Sequence, residues 1–138
     1  MLRSRETQHF KLYAWVIMPN HVHMLLRPDL PDHPVANILK RIKQTTARTI
    51  IAEWRSRDAR VIPKITDSRG DTHFWQRGGG YDRNIISKEE FLEKLNYIHL
   101  NPVRAELVKR PEDWKWSSAA AFCGHPRPGF KPDSLPRM

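Results

Sequence analysis

Two short strands followed by two helices of different character make an α+β domain the expected architecture of this 138-residue chain. The first sign is the run from Ala14 to Leu26, apolar, rich in β-branched and aromatic side chains, and interrupted only by Pro19-Asn20. Such residues suit a pleated, half-buried surface and the Pro-Asn break suits a turn, so the run reads as a hairpin. The second sign is an apolar spacing of about 3.6 over Val35, Ile38, Leu39, Ile42, Thr46, Ile50 and Trp54, the mark of one long amphipathic helix. The third is Ser87 with Glu90 three residues on, a pair that satisfies the first amide groups of a helix with side-chain oxygens.

The remaining segments follow from their punctuation. Residues 27–34 hold three prolines and two aspartates and read as a loop, and Pro34 suits the first turn of the long helix. Charges mixed with Pro63 and Gly70 make 57–71 a long connection. Phe74-Trp75-Gln76 reads as the start of a short strand, Gly78-Gly79-Gly80 as a flexible break, and Tyr81 to Ile86 as a strand or extended segment. In the Ser87-capped helix the expected buried stripe is Phe91, Leu92, Leu95 and Ile98. The residue before a proline disfavours the helical region, so Asn101-Pro102 is expected to end that helix. Asn101 then caps a second short helix from Val103 to Val108. Trp114 to Ala119 begins a last helical piece. The domain is expected to run over 1–124, with 125–138, which contains four prolines, as an extended and mobile tail.

Composition narrows the partners. Lys and Arg outnumber Asp and Glu by 24 to 15, a net charge of +9 that points to a polyanion, nucleic acid first. No apolar stretch approaches the roughly 20 residues that span a bilayer, so no membrane partner is expected. Met1 to His9 is polar and lacks the apolar region of a secretory signal. Cys123 is the only cysteine, which rules out an internal disulfide, argues against a cysteine-based zinc site and fits a reduced, cytoplasmic protein. On the long helix, Lys40, Arg41, Lys43, Arg48 and Arg55 lie away from the apolar stripe as a candidate DNA-binding face, or as an ordinary solvated one.

The candidate chemistry begins with His21 and His23. Strand side chains alternate, so residues two apart leave the same side, roughly 7 Å apart for a rise of about 3.3 Å per residue. Two neutral imidazoles so placed can hold one divalent cation if a third ligand arrives from elsewhere. Tyr97 and Asn101 are four apart on the capped helix and share a face outside its apolar stripe. Asn101 can offer a carbonyl oxygen to the metal, and Tyr97 a phenol to whatever the metal holds. Each residue also has a plain structural reading: a histidine at the turn, an N-cap at Asn101, a stripe-edge ring at Tyr97.

Met18-Pro19-Asn20-His21-Val22-His23 together with Tyr97-Ile98-His99-Leu100-Asn101-Pro102-Val103-Arg104 resembles the single-tyrosine HUH transposases, and most of all their REP-associated tyrosine transposase branch of IS200-like enzymes. Ile42-Lys43-Gln44, Phe74-Trp75-Gln76 and Trp114-Lys115-Trp116-Ser117-Ser118 match in the same order, so the resemblance extends from about Tyr13 to Phe122. It implies a ferredoxin-like antiparallel sheet with packed helices, here without the family's first strand and helix, because only Met1 to Phe10 precede the hairpin. A truncated or mis-started reading frame would explain that difference. The resemblance also implies a DNA transposase, acting as an endonuclease that nicks and transfers single strands through a 5′-phosphotyrosine. Tyr97 corresponds to the nucleophile, and His21, His23 and Asn101 to the ligands of Mg²⁺ or Mn²⁺. Single-stranded or hairpin DNA is the implied partner, and pairing with a second copy as a homodimer stays open. Glu106 stands where the family commonly has Gly, for which a small local effect is expected.

Two other readings compete. One is a catalytically decayed nucleic-acid-binding module, which the basic helix face supports equally well. The other is a metal-dependent hydrolase with His73 or His99 as the third ligand, although His99 lies two residues from Tyr97 and so points elsewhere on the helix. Tyr81 is a rival nucleophile, but its neighbouring glycines offer no rigid platform.

Overall fold

The computed structural model describes residues 9–32, 34–76, 78, 82–128 and 131–136. The described chain is α+β: strands β1 (Phe10–Ile17) and β2 (Val22–Pro28), then helices α1 (Val35–Ser56), α2 (Lys88–Arg104) and α3 (Ala119–Phe122), with 3-10 turns at Ile62–Ile65 and Pro111–Asp113. It divides into two compact units, 32–82 and the remainder.

In the larger unit, β1 and β2 pair antiparallel across the Pro19-Asn20 turn, with Ile17 opposite Val22 and Phe10 opposite Pro28. The hairpin is longer than the apolar run alone suggested. A bulge falls between Leu12 and Ala14, so Tyr13 has no cross-strand partner. An extra residue turns the strand locally, and Tyr13 and its neighbour Ala14 both join one core with Val16, Met18, Leu25, Phe91, Leu95 and Ile98. The Tyr13 and Phe91 rings meet edge to face at 5.5 Å.

β1's other edge is closed by later parts of the chain. Ile17 N–H donates to the Trp116 carbonyl (2.8 Å) and Ser118 N–H to the Trp15 carbonyl (3.0 Å). Farther along, Leu12 N–H donates to the Asp133 carboxylate (2.8 Å), and Asp133 N–H donates to the Leu12 carbonyl (2.9 Å). Strand-edge amide and carbonyl groups that would otherwise be desolvated without partners are thereby satisfied. The segment expected to open a last helix at Trp114 instead makes a turn at Lys115-Trp116 and a bridge from Ser117 to Val16, because β1 takes its backbone, and α3 begins only at Ala119. The described part of the tail has no helix or strand, and Asp133 ties it to β1.

α2 starts as its capping pair predicts, with Ser87 Oγ accepting from Glu90 N–H at 3.0 Å. The Glu90 carboxylate returns to the N–H of Ile86 (3.3 Å) rather than to that of Ser87. Phe91, Leu95 and Ile98 are buried, but Leu92 is 42% exposed, so the stripe is narrower than expected. Asn101-Pro102 does not end the helix, which continues to Arg104 with Pro102 fully inside it. Pro102 deprives the Ile98 carbonyl of its usual donor, yet a buried ring and a closed C-terminal turn carry the helix past that loss. The separate helix expected over Val103 to Val108 is absent. Instead Glu106 N–H donates to the Val103 carbonyl and Leu107 N–H to the Pro102 carbonyl, each at 2.9 Å, a Schellman closure.

In the smaller unit, α1 covers the predicted periodic segment, with Ile38 and Ile42 buried. Phe74 and Trp75 form no strand. Trp75 Nε1 donates to the Lys43 carbonyl (3.0 Å) and the Phe74 ring lies 5.5 Å from that of Trp54, so side-chain contacts hold the segment against α1. Residues 82–86, of which 83–86 belong to the larger unit, lie in no helix or strand, while Tyr81 and most of the glycine break lie outside the described residues.

Candidate active site

The hairpin turn is closed by Met18 N–H donating to the His21 carbonyl at 2.8 Å, which leaves His21 just ahead of β2 and His23 as its second residue. Their rings are side by side, with centroids 4.8 Å apart and planes at 75°. That is closer than the spacing along a flat strand, because His21 belongs to the turn. α2 packs its buried stripe on the hairpin core and brings the Tyr97 ring to 5.5 Å from the His23 ring, again edge to face. Tyr97 is 40% exposed, whereas Tyr13 is only 3% exposed and sealed in the core. Tyr81 lies outside the described residues.

Electrostatics set the charge state of His23. Burial lowers the pKa of His23, and the neighbouring His21 lowers it further, so the imidazole stays neutral with a free lone pair at neutral pH. His21 Nδ1 sits 2.6 Å from the Asn20 carboxamide oxygen. An oxygen acceptor there places the proton on Nδ1 and leaves Nε2 as the donor atom for a ligand. Asn101 is half-buried, one helical turn after Tyr97, and its side chain makes no hydrogen bond among the described residues. Imidazole nitrogens and amide oxygens are donor types that suit a divalent cation.

His99 is not part of this group. It is 7% exposed, and its Nε2 is 2.8 Å from Ser118 Oγ, which also accepts from Trp15 N–H (3.0 Å) and lies 3.2 Å from the Trp15 carbonyl. One hydroxyl proton serves all these contacts only if His99 carries its own proton on Nε2 and donates it. Burial lowers the His99 pKa to about 4. The residue is a neutral pin between α2 and the β1 edge, which removes it as a third ligand.

The 32–82 unit holds the basic residues and a second cluster. Lys40, Arg41, Arg48 and Arg55 are exposed and Lys43 is half-buried. Arg41, Arg48 and Arg55 recur every seven residues and so form a single stripe, and Arg55 donates to Thr72 Oγ1 at 2.9 Å. Asp67, Asp71 and His73 bring three potential ligand atoms within 4.8 Å of one another, a grouping the sequence reading missed. Asp67 Oδ1 accepts from the N–H groups of Arg69 and Asp71, and Oδ2 lies 3.0 Å from His73 Nε2. Those contacts, led by His73, lower the Asp67 pKa. The cluster closes the turn that joins Thr66 to Thr72 and is a structural aspartate turn.

Another residue missed from sequence is Arg104, whose guanidinium carbon lies 5.1 Å from the Tyr97 ring centroid. The seven-residue spacing on one helix was the available signal.

Residues 2–101 match the family described as "Transposase IS200 like". The chain is 22% identical over 118 residues to the REP-associated tyrosine transposase of Escherichia coli (strain K12), covering 86% of this chain and 59% of that protein. It is 27% identical over 109 residues to a putative REP-associated tyrosine transposase of Haemophilus influenzae, covering 79% and 58%. The chain thus spans somewhat over half the length of these relatives. A solved structure of a REP-associated tyrosine transposase bound to a REP hairpin shares the fold, with a TM-score of 0.68 at 19% identity over 99% of this chain and 74% of that one.

Proposed function

The chain belongs to the IS200-like transposase family, and from that premise we propose that it nicks and rejoins single-stranded DNA beside a hairpin, with Tyr97 as nucleophile. The observation that carries the reading is an exposed phenol held against paired imidazoles, with ring centroids 5.5 Å and 4.8 Å apart in succession. His21, His23 and Asn101 would hold Mg²⁺ or Mn²⁺, whose charge offsets the negative charge that builds on the attacked phosphate. A solved relative carries a REP hairpin, and a hairpin with single-stranded flanks is the substrate class proposed here.

The chain's own residues do the rest. The Tyr97 hydroxyl oxygen bonds to phosphorus, the bond from phosphorus to the 3′-oxygen breaks, and the phenolic proton ends on that oxygen. The products are a 5′-phosphotyrosine and a free 3′-hydroxyl. One diester has replaced another, so the link keeps enough energy for a second 3′-end to reverse the step. His23 and the buried stripe of α2 fix the phenol's position on rigid elements, as attack geometry demands. The basic stripe of α1 binds phosphates without reading sequence. DNA work by a chain with a single cysteine fits a reduced, cytoplasmic setting.

The test is covalent capture. With Mg²⁺ or Mn²⁺ and labelled hairpin oligonucleotides, the chain should become attached to a 5′ end. Attachment should vanish in Tyr97→Phe, which keeps the ring packing, and in His21→Ala or His23→Ala. Retained DNA binding with no adduct under any condition would favour the decayed binding module instead.

A further inference from the structure

Arg104 is the last residue of α2 and is exposed. Seven residues are nearly two helical turns, so Arg104 follows Tyr97 on almost the same azimuth, about 10 Å farther along the axis. Helical side chains lean toward the N-terminus, and a long one can cover that distance. The guanidinium does so and lies over the phenol ring, 5.1 Å from its centroid. The ring is therefore flanked by His23 and by Arg104.

Among the described residues the charge of Arg104 has no other use. Arg83 is paired with Glu90 at 2.8 Å, and Arg110 with Asp113 at 2.8 Å. Among the described residues Arg104 has neither an ion pair nor a hydrogen bond. Two modest roles are available to any cation here: opposing the partial negative charge of the helix C-terminus, and a cation–π contact. Neither requires a guanidinium, because lysine serves both. A planar fork of N–H donors is distinctive in matching two oxygens of one phosphate.

We propose that Arg104 is a phosphate-binding residue of the Tyr97 site, its guanidinium taking the non-bridging oxygens of the diester that Tyr97 attacks. The proposal rests on reading Tyr97 as the nucleophile. In the free protein the guanidinium rests on the phenol ring and keeps the ring from turning away. When DNA enters, the same donors engage the phosphate beside the ring. They remain with the same oxygens once these belong to the phosphotyrosine.

Two measurements on the full chain test this. The first is the affinity of a short single-stranded oligonucleotide as a function of salt, for the wild type, Arg104→Gln and Arg104→Lys. Loss of one phosphate contact should lower the slope of log affinity against log salt by about 0.7 in Arg104→Gln, and Arg104→Lys should keep it. The second is the single-turnover rate of covalent attachment. It should fall on the order of 100-fold in Arg104→Gln and clearly in Arg104→Lys, where the fork is lost. Added guanidinium should partly restore it in Arg104→Ala. A helix-end or packing role would be met by lysine and would show no such rescue. An unchanged salt slope in Arg104→Gln, or an unchanged rate, overturns the proposal. If the wild type forms no adduct, the nucleophile assignment falls, while the salt slope still decides whether Arg104 touches phosphate.

Discussion

The unit built on the hairpin and the unit over 32–82 place their charged groups under opposite constraints. In the first, most of β1 is buried, with Leu12, Ala14, Trp15 and Val16 each at 0% exposure, and polar groups near it are held by hydrogen bonds and ring contacts. His99 is fixed to Ser118, Ser118 to Trp15, and the Tyr97 ring contacts both His23 and Arg104. In the second, a 22-residue helix buries only Ile38 and Ile42 and leaves four of five basic residues in water. Bond-making chemistry needs atoms held to fractions of an ångström, which dense packing supplies. Neutralising a flexible polyanion needs only charge within reach, which an exposed helix supplies at little cost.

That contrast is easiest to break in the core. Leu95→Ala removes a side chain from the cluster under Tyr97 and should destabilise by about 2–5 kcal/mol. Leu39→Ala, at a half-buried position on α1, should cost clearly less. Denaturant melts of both variants check this, and equal losses would mean that the 32–82 unit is as tightly packed as the other.

Acid should expose the same difference. His99 is held neutral in the fold at about 4 against an ordinary 6.5. The unfolded chain therefore binds a proton that the folded chain refuses between those values, and stability falls as pH drops from about 6.5 toward 4. The loss is up to ~3 kcal/mol for a shift of this size. In His99→Gln that part of the pH dependence should disappear, read as thermal midpoints at pH 7 and pH 5.

For the exposed helix, reversing Lys40, Arg41 and Arg48 to Glu should weaken oligonucleotide binding on the order of 30-fold, about 2 kcal/mol, across sequences, and flatten the salt slope. Stability should barely move. The rate of covalent attachment at saturating DNA should also hold, since none of these side chains belongs to the Tyr97 group. A change in that rate would mean that the helix does more than hold phosphate.

The smallest effect concerns Glu106, which adopts φ +56 at the turn closing α2. A side chain in the left-handed region costs roughly 1–2 kcal/mol that glycine avoids. Glu106→Gly should therefore stabilise by up to about 1 kcal/mol, after allowance for glycine's greater freedom in the unfolded chain. The family's usual glycine at this place has a conformational reason.

Much of this was legible in the chain because it is local. Hairpin, long helix and capped helix follow from alternation, a 3.6-residue period and a side chain reaching its own backbone three residues away, all of which act over a few residues. His21 with His23, and Tyr97 with Asn101, were visible as two candidate pairs for the same reason. The misreadings came where distant segments compete. Phe74-Trp75 looked like a strand start, but its rings and indole N–H are taken by α1. Leu92 looked buried from its spacing, yet it is 42% exposed.

The sequence alone therefore determined the hairpin and the two longer helices and offered candidates for the chemistry, because helix period, strand alternation and capping are short-range. Only the tertiary structure decided that α2 lays Tyr97 against His23, that the helix continues through Pro102 to bring Arg104 over the phenol, and that β1's open edge is filled from residues 116–118 and 133. Those outcomes depend on burying apolar faces and satisfying backbone groups across separations of up to 121 residues. No local pattern encodes a partner that far along the chain.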